Sequence, residues 1–181
     1  MTTPAGRAVE AVRTMAERPG MGTIIPVPLF ASVGTSCGFG LSAGAGLTLV
    51  HADNTGPGWS TVFIACGLAL DVPDPDEVLR WVNLQNRRTQ VGKFYCAVAQ
   101  AQNMTAVVYE HSIWGGHFEG LLDGPHGPGT FQRTGGWIIG LLKDASDASR
   151  ELSAELTSAL GGRPFPPDDN GLITLFTICA G

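Results

Sequence analysis

Histidine is the side chain best suited to bind a metal or transfer a proton near neutral pH, and this chain has four of them. They are His51, His111, His117 and His126. Metal sites usually draw on closely spaced ligands, such as two histidines four residues apart on a helix. His117 and His126 instead lie in a Gly- and Pro-rich loop where Glu119 and Asp123 are the only nearby carboxylates. We expect solvent-exposed loop histidines and no metal, with a metal site on this loop as the alternative.

The four cysteines are widely spaced, and no two of them form a C-x-x-C pair. They are Cys37, Cys66, Cys96 and Cys179. The last three lie inside apolar runs, which predicts small buried hydrophobic side chains in a reducing compartment. Cys37 lies in a glycine-rich segment and is the one candidate for a catalytic nucleophile, with His51, His111 or His117 as its base. No local sequence signature supports such a hydrolase.

The glycine-rich segment Gly34–Gly46 contains Gly38-Phe-Gly40-Leu-Ser-Ala-Gly44, which superficially matches a dinucleotide-binding loop. Such a loop works only between a buried strand and the N-terminus of a helix, whose amides bind the pyrophosphate. Here a proline-broken run precedes the glycines and the strand-like LTLVH follows them. The pattern therefore predicts a hairpin loop, and we expect no nucleotide cofactor.

Composition narrows the class of function. The chain has 181 residues, and we expect a single domain over residues 1–181. Its formal net charge is −5, whereas nucleic-acid binding needs a net basic face, so we expect no nucleic-acid partner. The N-terminal residues lack the apolar core of a secretory signal, and no apolar run is long enough to cross a bilayer. We therefore expect a cytoplasmic protein with no membrane insertion.

Three amphipathic helices are predicted from apolar residues at three- and four-residue steps. They cover residues 5–18, the segment from Pro75 to a stop at Gly92, and about 130–160. The second helix has the clearest start, because Asp74 is a good N-cap and Pro75 suits the first helical position. Its inward stripe is predicted to include Val78, Leu79 and Val82.

Six segments are predicted to be strands from their β-branched residues and alternating patterns. They are Thr23–Val33, Leu47–His51, Ser60–Val72, Lys93–Gln100, Thr105–Ile113 and Leu172–Cys179. The prolines of the first make it an edge strand or an extended arm. Alternation in the fifth places Val107, Tyr109, His111 and Ile113 on one face. No βα unit repeats, so the expected fold is α+β: a mostly antiparallel sheet packed by two or three helices.

Aromatic residues supply the candidate binding surface. Trp81 lies beside Leu84, just off the inward stripe of the second helix, and the low charged fraction of 15% favours an apolar interface. We predict that a protein or peptide partner contacts Trp81, Leu84, Trp114 and Phe118. Self-association is the commonest use of such a surface, so we also predict a homodimer.

The central stretch VPDPDEVLRWVNLQNRRTQVGKFYCAVAQAQNMTAVVYEHSIWGG has a recognisable order of elements. An acid-capped helix carrying V-N-x-x-N at Val82–Asn86 precedes a Gly-led strand, a second strand and a long amphipathic helix. Over residues 72–160 this order resembles the YbjN-like family, which is related in fold to class I type III secretion chaperones. The resemblance implies a chaperone-like helix–sheet fold, often dimeric, that holds a protein or peptide segment against an apolar surface, with no catalytic residues and no cofactor.

The sequence therefore favours a non-enzymatic chaperone-like or scaffold domain. A small-molecule or metal-binding enzyme using the Gly34–Gly46 loop and the His117/His126 loop is the alternative. A structural subunit of a larger assembly would differ from the first hypothesis only in the permanence of its partner. Asn83 and Asn86 are poor helix formers, so we expect their amides to bond to a neighbouring loop or backbone.

Overall fold

The chain combines helices with one antiparallel sheet, as seen in a computed structural model that describes residues 4–26, 37–43, 46–56, 59–99, 104–114 and 136–180. Within these ranges the helices are α1 (Pro4–Ala16), α2 (Pro75–Arg88), α3 (Gly136–Leu160) and α4 (Asp169–Ala180). The strands are β1 (Thr23–Pro26), β2 (Cys37–Ala43), β3 (Gly46–Gly56), β4 (Trp59–Leu70), β5 (Lys93–Ala99) and β6 (Met104–Trp114).

The six strands follow the order β1-β2-β3-β4-β6-β5, and every neighbouring pair is antiparallel. This confirms the predicted α+β class. β1 and β5 form the two edges of the sheet, which agrees with the proline-based prediction for the first strand. Its predicted continuation to Val33 lies outside the described residues.

Helices cover both faces of the sheet. α1, α2 and α3 pack on one face, whereas α4 packs with Phe165 on the other. Strand β6 shows the alternation, since Val107 and Tyr109 belong to the first core and Ala106 and Val108 to the second. The predicted faces of this strand are confirmed, and both are apolar enough to need a cover.

The prediction of a hairpin loop over the glycine-rich segment is wrong for residues 37–43, which form strand β2. Phe39 and Leu41 are buried against the first core and alternate with Gly38 and Gly40. A Cβ atom on Gly40 would lie 2.3 Å from Leu172 Cδ2 of α4. The glycines therefore let α4 approach the sheet closely, and do not build a loop.

The prediction of a final strand over Leu172–Cys179 is also wrong, because this segment belongs to helix α4. Asp168 Oδ1 caps the helix, accepting hydrogen bonds of 3.0 Å from the N–H groups of Asn170 and Gly171. Leu172 and Leu175 are buried in the second core. The β-branched residues suggest a strand, but packing against the open face of the sheet overrides this local preference.

Helix α2 begins as predicted. Asp74 Oδ1 accepts hydrogen bonds from the N–H groups of Asp76 (2.9 Å) and Glu77 (3.1 Å). The helix ends at Arg88, earlier than the stop predicted at Gly92.

The inward stripe of α2 is narrower than predicted. Val78 and Val82 are buried, but the side chain of Leu79 is 47% exposed, so its predicted inward position is wrong. Leu79 is turned about 100° from Val78 around the helix axis. It therefore lies beside the edge of the sheet, where no further strand among the described residues covers β5.

Candidate functional site

The edge strand β5 is tied to α2 by one asparagine. Asn86 Nδ2 donates to the carbonyl oxygen of Phe94 (2.8 Å), and its Oδ1 accepts from the N–H of Phe94 (2.7 Å). The side-chain amide thus pairs with Phe94 as a neighbouring strand would. The predicted backbone contact is confirmed for Asn86, whereas the side-chain amide of Asn83 makes no hydrogen bond within the described residues.

The pairing at Phe94 shows which backbone groups of β5 face outward. In an antiparallel ladder, alternate residues point their N–H and C=O groups toward the same neighbour. Since those of Phe94 point away from β6 to Asn86, those of Cys96 and Val98 point the same way. Within the described part of the chain, no hydrogen bond reaches these outward groups. They form an open stretch of sheet edge.

Exposed apolar side chains flank this open edge. Val98 is 56% exposed and follows Phe94 and Cys96 on the same face of β5. Leu79, Asn83 and Asn86 recur at helical spacing, so Leu79 shares the face of α2 that meets the outer side of β5. Neither Leu79 nor Val98 was predicted to lie at a binding surface, although the alternation within β5 could have revealed Val98.

Charged side chains of both signs are exposed on α2. Asp76 and Glu77 lie in its first turn, Arg80 follows them, and Arg87 and Arg88 lie in its last turn. Lys93, at the start of β5, adds a further cation. These cations stand out in a chain whose formal net charge is −5.

The predicted partner-binding residues have different positions. Trp81 is partly buried and meets Phe94 edge to face, with ring centroids 5.4 Å apart. Leu84, on the same helix, is 44% exposed. Trp114 is the last residue of β6 and pairs with Thr61, but its side chain lies outside the description, as does all of Phe118. The structure therefore brings only Trp81 and Leu84 together.

A pocket of about 350 Å³ lies between the segment after α2 and helix α3. The Tyr109 hydroxyl lies 2.7 Å from the Val91 carbonyl oxygen and 2.8 Å from Asp144 Oδ2. His111 Nε2 lies 2.9 Å from the same Asp144 oxygen. Gly92 adopts a φ of +78°, and a Cβ atom there would lie 2.6 Å from the Tyr109 hydroxyl oxygen. The turn can approach this cluster only because residue 92 is glycine.

A second polar cluster lies on the opposite face of the sheet, around the buried Glu110. The Glu110 carboxylate accepts hydrogen bonds from Ser112 Oγ (2.8 Å) and Tyr95 Oη (3.3 Å) and pairs with Lys93 Nζ (3.1 Å). Tyr95 Oη also lies 3.3 Å from Cys179 Sγ on α4. These partners compensate for the burial of the carboxylate.

The thiols of the described cysteines are poor nucleophiles at neutral pH. Burial raises the pKa of Cys179 to about 12, and it also raises the pKa of Cys66 and Cys96. Cys37, the candidate nucleophile, is the register partner of Ala52, while His51 pairs with Gly38. The side chain of Cys37 is not among the parts of the chain that the structure describes. Its catalytic role therefore stays a prediction.

Two of the four histidines, His51 and His111, lie in strands and are buried. His111 is held by Asp144, and His51 stacks on Phe63 with ring centroids 4.9 Å apart. His117 and His126 fall outside the described residues. Among the residues that the structure describes, no three His, Cys, Asp or Glu side chains are grouped as metal ligands would be.

Comparison with protein-family models and with curated protein sequences finds no match for this chain. The resemblance to YbjN-like proteins therefore stays a prediction. None of the helices in the described ranges combines the length and apolar character needed to cross a membrane.

Replacing Asn86 by aspartate tests its role at the sheet edge. Asn86→Asp removes the donor to the Phe94 carbonyl and sets a carboxylate against that oxygen, so we expect the free energy of unfolding to fall by about 1–3 kcal/mol. Urea unfolding followed by circular dichroism measures the change. Asn83→Asp, on an exposed position of the same helix, should stay within about 0.5 kcal/mol of the parent. Equal losses in the two variants would contradict the bridging role of Asn86.

The raised pKa of the Cys179 thiol leads us to expect that the folded protein loses stability at alkaline pH. The pKa of this thiol rises from 9.0 to about 12 on folding, so between these values the unfolded state releases a proton that the folded state retains. The free energy of unfolding should therefore fall as pH rises above 9, with no contribution from this group below that pH. Urea unfolding at about pH 8 and about pH 10 measures the slope. Cys179→Ala should make the slope shallower without abolishing it, because burial also raises the pKa of Cys66 and Cys96. An unchanged slope would show that Cys179 does not contribute to the loss.

Proposed function

We propose that this protein is a non-enzymatic chaperone-like or scaffold domain that binds an extended segment of a partner protein along the outer edge of β5. The observation that carries the proposal is the open stretch at Cys96 and Val98, bounded at one end by the Asn86–Phe94 pair. An extended peptide can add a strand to such an edge through main-chain hydrogen bonds, and neighbouring side chains then select its sequence.

The exposed apolar residues lie where they would contact the added strand. Leu79 precedes Asn86 by seven residues, or about 10 Å along the helix, which corresponds to about three residues of strand. The start of α2 lies near the far end of β5, since the Val72 N–H donates to the carbonyl of Thr105, the register partner of Val98. Leu79 therefore lies near Val98, and the two would pack on side chains from the same face of the incoming strand.

The charge around the edge indicates the chemistry of the partner. The exposed Arg87 and Arg88 lie in the last turn of α2, beside the Phe94 end of the apolar surface, whereas Asp76 and Glu77 are exposed in its first turn. A segment with alternating apolar residues, and with carboxylates at the end that meets these arginines, complements both features. A strongly basic segment would be repelled. The proposed partner is therefore an extended, acidic and apolar segment of another protein.

The proposal also includes a homodimer and a cytoplasmic location. The exposed Leu84, next to the partly buried Trp81, lies on a different side of α2 from Leu79 and offers a surface for a homodimer. A cytoplasmic location agrees with the free thiols of Cys66, Cys96 and Cys179.

The enzymatic alternative has less support. The segment Gly34–Gly46 would have to act as a loop, but its residues 37–43 are a paired strand. The His117/His126 loop lies outside the described residues and contributes no observation in favour of an enzyme.

A displayed library of random peptides tests the binding site. Selected peptides, measured by fluorescence anisotropy on the full chain, should be apolar and acidic and should bind at least about tenfold more weakly to Leu79→Asp and to Val98→Asp. N-methylation at alternate peptide residues should abolish binding in one register only, because only alternate N–H groups face the strand.

The matched control is Ile173→Asp, which places the same charge on an exposed apolar position of α4, 40% exposed on the opposite face. It should leave peptide affinity unchanged. Peptides that ignore both edge variants, or that tolerate N-methylation at every position, would refute binding to β5.

Sedimentation of the Leu84→Asp variant tests the dimer separately. The parent should sediment as a dimer and the variant as a monomer, because a carboxylate would be buried in the interface. A monomeric parent, or a dimer that is unaffected by the variant, would contradict the Leu84 surface.

A further inference from the structure

The pocket beside Asp144 is separate from the β5 edge and has a lining of its own. It is formed by Thr89, Gln90, Val91, Tyr109, Leu141 and Asp144. Its volume of about 350 Å³ lies within the range of small-ligand sites. Val91 is 57% exposed and Leu141 is partly buried, so the pocket has apolar walls and opens to solvent.

The polar atoms at this site are mainly hydrogen-bond acceptors. An ionised carboxylate only accepts, so His111 donates from Nε2 to Asp144 Oδ2. The single hydroxyl proton of Tyr109 can serve either Asp144 Oδ2 or the Val91 carbonyl, which leaves the other with spare capacity. Asp144 Oδ1 receives no hydrogen bond from the described residues. The cluster thus offers one carboxylate, one carbonyl and one phenolic oxygen within a few ångströms.

These features select one type of ligand group. A group with several donors and no acceptor would satisfy the oxygens, and a positive charge would complement Asp144, whose side chain is 56% exposed. Guanidinium meets both conditions, since it carries five N–H donors in a plane and stacks on flat apolar or aromatic surfaces. An ammonium ion is compact and more strongly hydrated, so it suits the apolar walls less well.

We propose that this pocket binds an alkyl-guanidinium group, with the carboxylate of Asp144 as its charged partner and Leu141 and Val91 against its methylene chain. The group can belong to an arginine side chain of a protein or to a free alkylguanidine. The site does not depend on a strand bound to β5, so its failure in a test would leave the function proposed above unaffected.

Titration of the full chain, followed by amide NMR shifts, tests the site with three probes. N-acetylarginine amide presents the group as a protein side chain does, butylguanidine presents it as a free compound, and N-acetylcitrulline amide replaces guanidinium by an uncharged urea. We expect an arginine or guanidine probe to shift the amides of residues 89–92 and 144, and the citrulline probe to bind at least tenfold more weakly. Binding of the arginine probe alone assigns the protein source, and binding of butylguanidine alone assigns the free one.

Two variants connect the binding to the pocket. Asp144→Asn keeps an acceptor for His111 and Tyr109 but removes the charge, and it should weaken the guanidinium probes at least tenfold. Val91→Lys puts an ammonium group at the exposed wall of the pocket, where it competes for the same oxygens, and it should have a similar effect even if Asp144→Asn folds poorly.

Glu155→Gln, on an exposed position of α3, is the matched control and should leave the affinity unchanged. Citrulline binding as tight as arginine binding, or an equal loss in Glu155→Gln and Asp144→Asn, would overturn the proposal. So would the absence of binding by both guanidinium probes.

Discussion

The central strands β3, β4 and β6 carry buried apolar residues on both faces, so each face of the sheet must be covered by its own layer of helix. Helices α1, α2 and α3 supply one layer, and α4 supplies the other. The residues of the second layer lie very close to the backbone of the sheet, which explains the glycines beneath them. A Cβ atom on Gly67 would lie 2.4 Å from the ring of Phe165. Gly40 and Gly67 are thus required by packing.

With both faces covered, the unpaired backbone groups of the described sheet lie at its edges. Edge strands expose unpaired backbone groups, and proteins limit them with charges, prolines and side-chain caps. β1 contains Pro26, and β5 is capped at Phe94 by Asn86 and begins at Lys93, which pairs with Glu110. Beyond Phe94 the described part of β5 has no such cap, and exposed apolar residues border it. This contrast within one strand is why the proposed partner is assigned to its second half.

Strand β6 places polar side chains on both faces of the sheet. Alternation sends His111 to the face covered by α3, where it meets Asp144, and sends Glu110 to the face covered by α4, where it meets Tyr95 and Lys93. Neighbouring residues in the sequence therefore belong to separate clusters. The His111 side adjoins the pocket lined by Tyr109 and Asp144, which lies between the segment after α2 and helix α3.

Local patterns were enough to predict much of the architecture. The Asp74 cap, the amphipathic repeat of α3 and the alternation of β6 are properties of short windows, and each is confirmed. The tail and the glycine-rich segment were mispredicted, because Leu172–Cys179 has the β-branched composition of a strand and residues 37–43 have the glycines of a loop. Residues 37–43 form a strand because they pair with β1 and β3, and Leu172–Cys179 forms a helix that packs mainly on β3 and β4. Neither partner can be read from the segment itself.

The candidate site also combines features that the sequence predicts with features that only the fold brings together. By itself the sequence determined that α2 carries Trp81, Leu84 and two asparagines, because helical spacing fixes which side chains share a face. Only the tertiary structure decided that Asn86 pairs with Phe94 and that Asp144 meets His111, residues 33 positions apart in the chain. Such contacts depend on strand order and helix placement, which follow from burying both faces of the sheet at once and not from any local pattern.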